Sequence, residues 1–112
     1  MHGLRSKKAC KRISMIAKIH KADGKVILAV CDSSLKGKCF EENGLQLDLK
    51  SNFYKGEEMD EKRLLEYFKV ANIINLVGEK SVEVGIKAGV VDKKKIIKIK
   101  GIPHAQAVFL WE

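Results

Sequence analysis

No stretch of this chain is apolar enough to cross a bilayer. The longest unbroken apolar run, Val26 to Cys31, has six residues, against the roughly 20 that a spanning helix needs. No apolar segment follows the basic residues near the N-terminus, so no secretory signal is expected. Cysteine is sparse: Cys10, Cys31 and Cys39 form an odd set without a Cys-X-X-Cys pair. That excludes a disulfide-stapled secreted scaffold and fits reduced thiols in a cytoplasmic protein. Aromatic residues make up only 6% of the chain, with just two adjacent pairs, Phe53-Tyr54 and Tyr67-Phe68. Base-stacking platforms of the kind that read single-stranded RNA therefore have little to build on. The sequence also lacks a complete GxxxxGK[ST] loop, a GxGxxG turn and closely spaced zinc ligands. Neither a cofactor nor a metal is expected.

What is present fits one globular domain: 112 residues, 46% apolar and 32% charged, enough to build a self-supporting core. The net charge of +8 is unevenly spread. Residues 1–14 carry Arg5, Lys7, Lys8, Lys11 and Arg12 with no acid, and the remaining 98 residues carry 17 bases against 14 acids. The chain is therefore divided into a basic tail, 1–14, and a single α+β domain, 15–112. The tail is expected to be disordered or foreign to the native protein, with Met15 as a candidate start.

Hydrophobic patterning gives the element order β-β-α-β-α-β-α-β-β, a mixed β-sheet with about three helices. Met15 to Cys31 reads as a β-hairpin around Asp23-Gly24. Its second arm is apolar throughout after Lys25, as a central strand would be. Asp32-Ser33-Ser34 offers caps for a short helix over 34–42, with Leu35, Cys39 and Phe40 inward and Gly44 past its end. Leu45 to Leu49 alternates as a half-buried strand, and residues 50–59 read as a loop. Asp60 caps a helix over 61–71 whose Leu64, Leu65, Phe68 and Ala71 share a face. Ile73–Val77, a helix over 79–88 and a strand over 96–99 suggest a βαβ unit. Gly101 and Pro103 then break the chain before a last strand, 107–111.

Candidate chemistry is weak at every place where it arises. Gly78-Glu79-Lys80-Ser81 starts a helix after a strand, where backbone N–H groups can hold phosphate. The first glycine of a phosphate loop is missing and Glu79 repels an anion, so an ordinary turn is the simpler reading. His20, His104, Cys31 and Cys39 are too scattered for a zinc site. Cys39 follows Gly37-Lys38, and a lysine can activate a thiol, but its expected place on the apolar helix face argues for packing. Gly101-Ile102-Pro103-His104-Ala105-Gln106 is the most unusual segment. It could aim His104 and Gln106 into a groove, joined by Lys38, Cys39 or Glu41 as a small-molecule or catalytic site. Lys93, Lys94, Lys95, Lys98 and Lys100 could form an RNA-contacting edge, and lysines also guard sheet edges against aggregation. On a strand, Lys98 and Lys100 would share a face.

With these residues in view, the chain resembles the archaeal domain-of-unknown-function family 424. The handles are Gly37-Lys38-Cys39-Phe40-Glu41-Glu42 with Leu45-Gln46-Leu47, Asn75-Leu76-Val77-Gly78 with Ser81-Val82-Glu83, and Gly101 to Gln106. They span residues 15–112. The resemblance implies a small cytoplasmic protein without assigned activity, in a family associated with translation. No catalytic residue is carried over by it. The expectation is a non-enzymatic accessory protein that binds RNA or an RNA-bound, ribosome-associated protein. A small enzyme or ligand binder around Pro103-His104-Ala105-Gln106 is the alternative. A third reading is a protein-protein interaction subunit, including self-pairing through Val108-Phe109-Leu110-Trp111. No membrane partner is expected.

Overall fold

The computed structural model describes residues 15–50 and 54–109. The basic tail with Cys10, the aromatic Phe53 and the Leu110-Trp111 end of the expected last strand lie outside the described residues.

Three two-residue hairpin turns organise the chain. Met15–Ala22 (β1) and Lys25–Asp32 (β2) are joined by Asp23 and Gly24, at φ 51° and 75°. Cys39–Glu42 (β3) and Leu45–Asp48 (β4) are joined by Asn43 and Gly44, at φ 52° and 81°. Ile97–Ile99 (β7) and Ile102–Val108 (β8) are joined by Lys100 and Gly101, at φ 54° and 78°. Positive φ at both central residues gives the turn whose twist matches that of the flanking strands.

Between these hairpins lie Glu57–Met59 (β5), the helix Glu61–Phe68 (α1), Ile73–Val77 (β6) and the helix Glu79–Lys87 (α2). Among the described residues the main sheet runs β5-β1-β2-β6-β8-β7, and β3 and β4 form a separate two-stranded sheet. Only the β2–β6 pair is parallel. Asn72 pins the start of β6. Its side-chain oxygen accepts from Val26 N–H at 2.8 Å, its own N–H donates to the Val26 carbonyl at 2.8 Å, and its carbonyl accepts from Phe109 N–H at 2.7 Å.

The sheet separates two apolar layers. On one face Ala17, Leu28, Val30, Ile74, Leu76, Ala105 and Ala107 meet Leu64 and Phe68 of α1 and Val82 of α2. The Asp60 carboxylate caps α1 by accepting from Arg63 N–H at 2.9 Å, as its sequence position predicts. On the other face Ile16, Cys31, Val77 and Ile99 are covered by Leu35, Leu47 and Leu49. Each fully buried leucine contributes about 1.5–3 kcal/mol. The central position expected for β2 follows from this arrangement, since Leu28 to Asp32 are all buried.

The α+β class and the mixed sheet match the sequence reading, and the local differences have physical causes. The helix expected over 34–42 is a single 3-10 turn, Ser33–Leu35, followed by β3. Asn43-Gly44 closes a hairpin instead of ending a helix, which lets Phe40 and Leu47 share one cover over the second sheet face. Leu35 is buried as expected, but Cys39 is exposed. Residues 57–59, read as loop, pair with β1. The last strand starts at Ile102, before Pro103, because the missing proline N–H falls where only its carbonyl is used, by Gly78 N–H at 2.9 Å. The expected βαβ unit is split: β7 runs parallel to β6, with β8 between them.

Candidate functional site

Three places gather the polar residues singled out by sequence. The first lies at the C-terminal ends of the parallel strands β2 and β6, where open sheets with helical crossovers tend to bind ligands. A cleft of about 280 Å³ opens there, lined by Asp32, Ser34, Gly78, Lys80, Ile102 and Pro103 among others. Asp32 is buried, and its carboxylate is aimed at the start of α2. One oxygen accepts from Ser81 N–H and Ser81 Oγ–H, both at 2.8 Å, and the other accepts from Lys80 N–H at 3.1 Å. The helix has no capping side chain of its own, because Gly78 occupies its N-cap at φ 106°. A Cβ at Gly78 would overlap the Asp32 carboxylate, within 2.6 Å of both oxygens. An internal carboxylate thus holds the position that a phosphate would take in the phosphate-loop reading.

Sequence reasoning assigned Asp32 to a local helix and missed this role. The available signal was the bare start of α2: a helix opening on Gly-Glu-Lys without Ser, Thr, Asp or Asn at its cap needs a donor-satisfying group from elsewhere.

The second place is β8. Ala105 and Ala107 face the helical core, so alternation turns His104 and Gln106 to the opposite face. His104 is half-buried, in register with Val77 on one side and Ile97 on the other. Burial lowers its pKa below 6.5, which favours the neutral ring at pH 7. Gln106 is exposed, in register with Asn75. The partners suggested for them, Lys38, Cys39 and Glu41, lie on or just before β3. Lys38 uses its main chain to bond Leu35 and Leu49, the Cys39 thiol accepts from Gln46 Nε2 at 3.5 Å, and Glu41 pairs with Gln46. Among the described residues no hydrogen bond or ion pair joins this set to His104 or Gln106. Cys31 is buried, and burial first, then the charge of Asp32, raises its thiol pKa to about 11, with Lys36 partly opposing. No group of three or more His, Cys, Asp or Glu among the described residues could hold a metal ion.

The third place is the β7 edge of the main sheet. Lys93–Lys95 form a 3-10 turn started by Asp92, whose carboxylate accepts from Lys94 N–H at 2.9 Å. Lys98 lies on β7. Lys100 leaves the strand alternation and takes the first left-handed position of the turn, where its N–H donates to Glu42 Oε1 at 2.7 Å. All five lysines are exposed. Among the described residues their ammonium groups meet no carboxylate, whereas Arg63–Glu57 at 2.9 Å, Lys87–Glu61 at 3.2 Å and Lys69–Glu66 at 3.6 Å all pair within or onto the β5–α1 segment.

Two outcomes test these assignments. Asp32→Ala should cost about 2–4 kcal/mol, because it leaves the buried Ser81 hydroxyl and the first N–H groups of α2 without their acceptor. Urea denaturation reads this, and an unchanged midpoint contradicts the capping role. His104 predicts an acid-sensitive stability. Its folded pKa is depressed, so the unfolded chain binds the proton more readily, and stability falls as pH drops through 6.5 towards the lower folded value. His104→Asn should flatten that part of the stability–pH curve, and an equally steep curve in the variant would assign the loss to other groups.

Comparison with known proteins agrees with the resemblance carried by the three motifs. Residues 20–110 match the family described as protein of unknown function (DUF424). The crystal structure of an uncharacterized conserved protein from Methanopyrus kandleri superposes with a TM-score of 0.72 at 27% sequence identity, covering 88% of this chain and 95% of that one. No curated protein matches the chain. By a match that spans most of its residues, the chain belongs to the DUF424 family.

Proposed function

We propose that this protein is a non-enzymatic, cytoplasmic RNA-binding accessory protein of the translation apparatus, with the β7 edge as its contact surface. The observation that carries the reading is a set of five exposed lysines, on β7 and in the turns on either side of it, whose ammonium groups meet no carboxylate among the described residues. Residues 92–100 hold five lysines and one aspartate, a net charge of +4. Residues 57–66, at the far edge of the sheet, hold five acids and two bases, a net charge of −3. Such a charge separation orients the molecule towards a polyanion before contact. Lysine ammonium groups then neutralise phosphates and release counterions, which needs no base readout and no aromatic platform.

Lys100 adds a second support. A residue with a Cβ at positive φ costs about 1–2 kcal/mol, and Asn or Gly would suit that turn position better. Strain retained at a surface position is a pointer to function. The dispersal of Lys38, Cys39, Glu41, His104 and Gln106 over two separate places favours this binding role over the small-molecule alternative.

Binding of transfer or ribosomal RNA should weaken steeply with salt. Each phosphate-contacting lysine should contribute about 0.7–0.9 to the slope of log affinity against log salt. Replacing Lys94 and Lys98 by alanine should lower that slope by about 1.4–1.8. A chain starting at Met15 separates this surface from the tail: if it does not bind, or the slope is unchanged in the double variant, the β7 edge is not the contact.

Lys100→Asn should move two properties in opposite directions. It should stabilise the fold by roughly 0.5–1 kcal/mol, by relieving the left-handed strain, and it should weaken RNA binding. Thermal unfolding and an RNA titration on the same sample check both, and RNA binding equal to that of the unaltered chain would remove Lys100 from the surface.

A further inference from the structure

The main-chain groups of β8 alternate between its two neighbours, and the alternation is fixed at both ends of the strand. Gly78 N–H donates to the Pro103 carbonyl at 2.9 Å, and Phe109 N–H donates to the Asn72 carbonyl at 2.7 Å. Odd-numbered residues of β8 therefore turn their N–H and C=O groups towards β6, and even-numbered residues turn theirs away. Ile102 and His104 meet Ile99 and Ile97 of β7. There β7 ends, because the Asp92-capped turn carries residues 93–95 off the sheet line. Gln106 and Val108 are left with outward N–H and C=O groups and no strand beside them among the described residues.

This unpaired stretch faces a groove of about 250 Å³, walled by Val90, Val91, Asp92 and Lys95. Val108 is 59% exposed beside it. We propose that this stretch of β8 is a docking edge for an extended, acidic segment of a partner protein, which adds a short strand beside Gln106 and Val108. Two residues whose donors and acceptors repeat at strand spacing specify an extended backbone as the occupant. The valines offer an apolar seat for alternate side chains. Lys95 and the neighbouring lysines supply complementary charge for carboxylates, while the Asp92 carboxylate in the groove wall is engaged by Lys94 N–H. A second copy of this chain is disfavoured as occupant, since pairing β8 with β8 would bring two stretches of net charge +4 together.

The test uses the full chain, isotopically labelled, and a blocked octapeptide of alternating valine and glutamate as probe. On saturation with the peptide, hydrogen exchange at the Gln106 and Val108 amides should slow at least about tenfold, while the amides of Ala105 and Ala107, already turned to β6, should not change. The same peptide N-methylated at every amide should lose binding. Val108→Pro removes one outward donor without breaking a bond inside the protein, and it should weaken the peptide by about tenfold. Equal binding of the methylated peptide would reduce the contact to charge alone and overturn the proposal. Protection of Gln106 and Val108 without peptide, in step with dimer formation, would overturn it in favour of self-pairing. Absence of any protection would overturn it outright.

Discussion

The Asp32 carboxylate, held by three donors from the first turn of α2, is the contact on which the rest of the arrangement depends. A buried carboxylate is costly unless its lone pairs are satisfied, and unpaired N–H groups at a buried helix start are costly too. Each solves the problem of the other across 48 or 49 residues of sequence. The solution fixes the end of β2 against the start of α2 and leaves no room for a side chain at Gly78. It also sets the neighbouring strand, since Gly78 N–H, one residue before the helix, donates to the Pro103 carbonyl. That bond decides which β8 residues turn towards β6. The lysine-bearing turn at Lys100 and the outward groups of Gln106 and Val108 both inherit their positions from it.

The charge pattern follows the same frame. Ion pairs gather on the β5–α1 segment, where acids and bases alternate along a helix and across to a strand and to α2. Exposed pairs of this kind contribute little to stability, about 0–1 kcal/mol each. Their more important effect is on the field: Arg63, Lys69 and Lys87 are taken up by acids of the β5–α1 segment, which remain in excess, while among the described residues the lysines at the β7 end meet no carboxylate. A modest overall excess of charge in the domain thereby becomes a directed field.

Much of this was legible in local sequence, and the rest was not for identifiable reasons. β1 and β2 flank Asp23-Gly24, and β6 is a short, mostly apolar segment between Asn72 and Gly78, so periodicity and turn chemistry sufficed. α1 carries its own cap in Asp60 and its own apolar stripe in Leu64 and Phe68. The segment 33–49 was harder, because Asp32-Ser33-Ser34 is a capping sequence and Gly44 is a plausible helix stop. The deciding factor there was tertiary: Asn43-Gly44 as a turn allows Phe40 and Leu47 to cover Cys31 and Val77, which a nine-residue helix would have left bare. The role of Asp32 is a long-range pairing that no window around residue 32 contains. Of the candidate site residues, the lysines were readable because a run of like charge stays exposed whether it falls in a turn, as Lys93 to Lys95 do, or on a short strand, as Lys98 does. His104 and Gln106 looked like a pair aimed into a groove because the proline suggested a loop; within a strand they instead stand two residues apart on the sheet face away from the helices.

An edge strand usually invites unwanted pairing, and lysines or short strands are common protections. Here both protections fall on β7. β7 is only three residues long and carries Lys98, so it shields the first part of β8 and repels a second sheet. The shield ends at Ile97, while β8 continues to Val108. If edge protection were the whole purpose, a longer β7 would serve it better, and the chain has the residues to extend it in Lys93 to Ile96. Those residues instead form a capped turn that holds the groove open beside Gln106. Lysines around an uncovered ladder repel another copy of the same edge and attract carboxylates. The same charges that suit the β7 edge to a polyanion therefore also restrict which extended chain could complete the sheet.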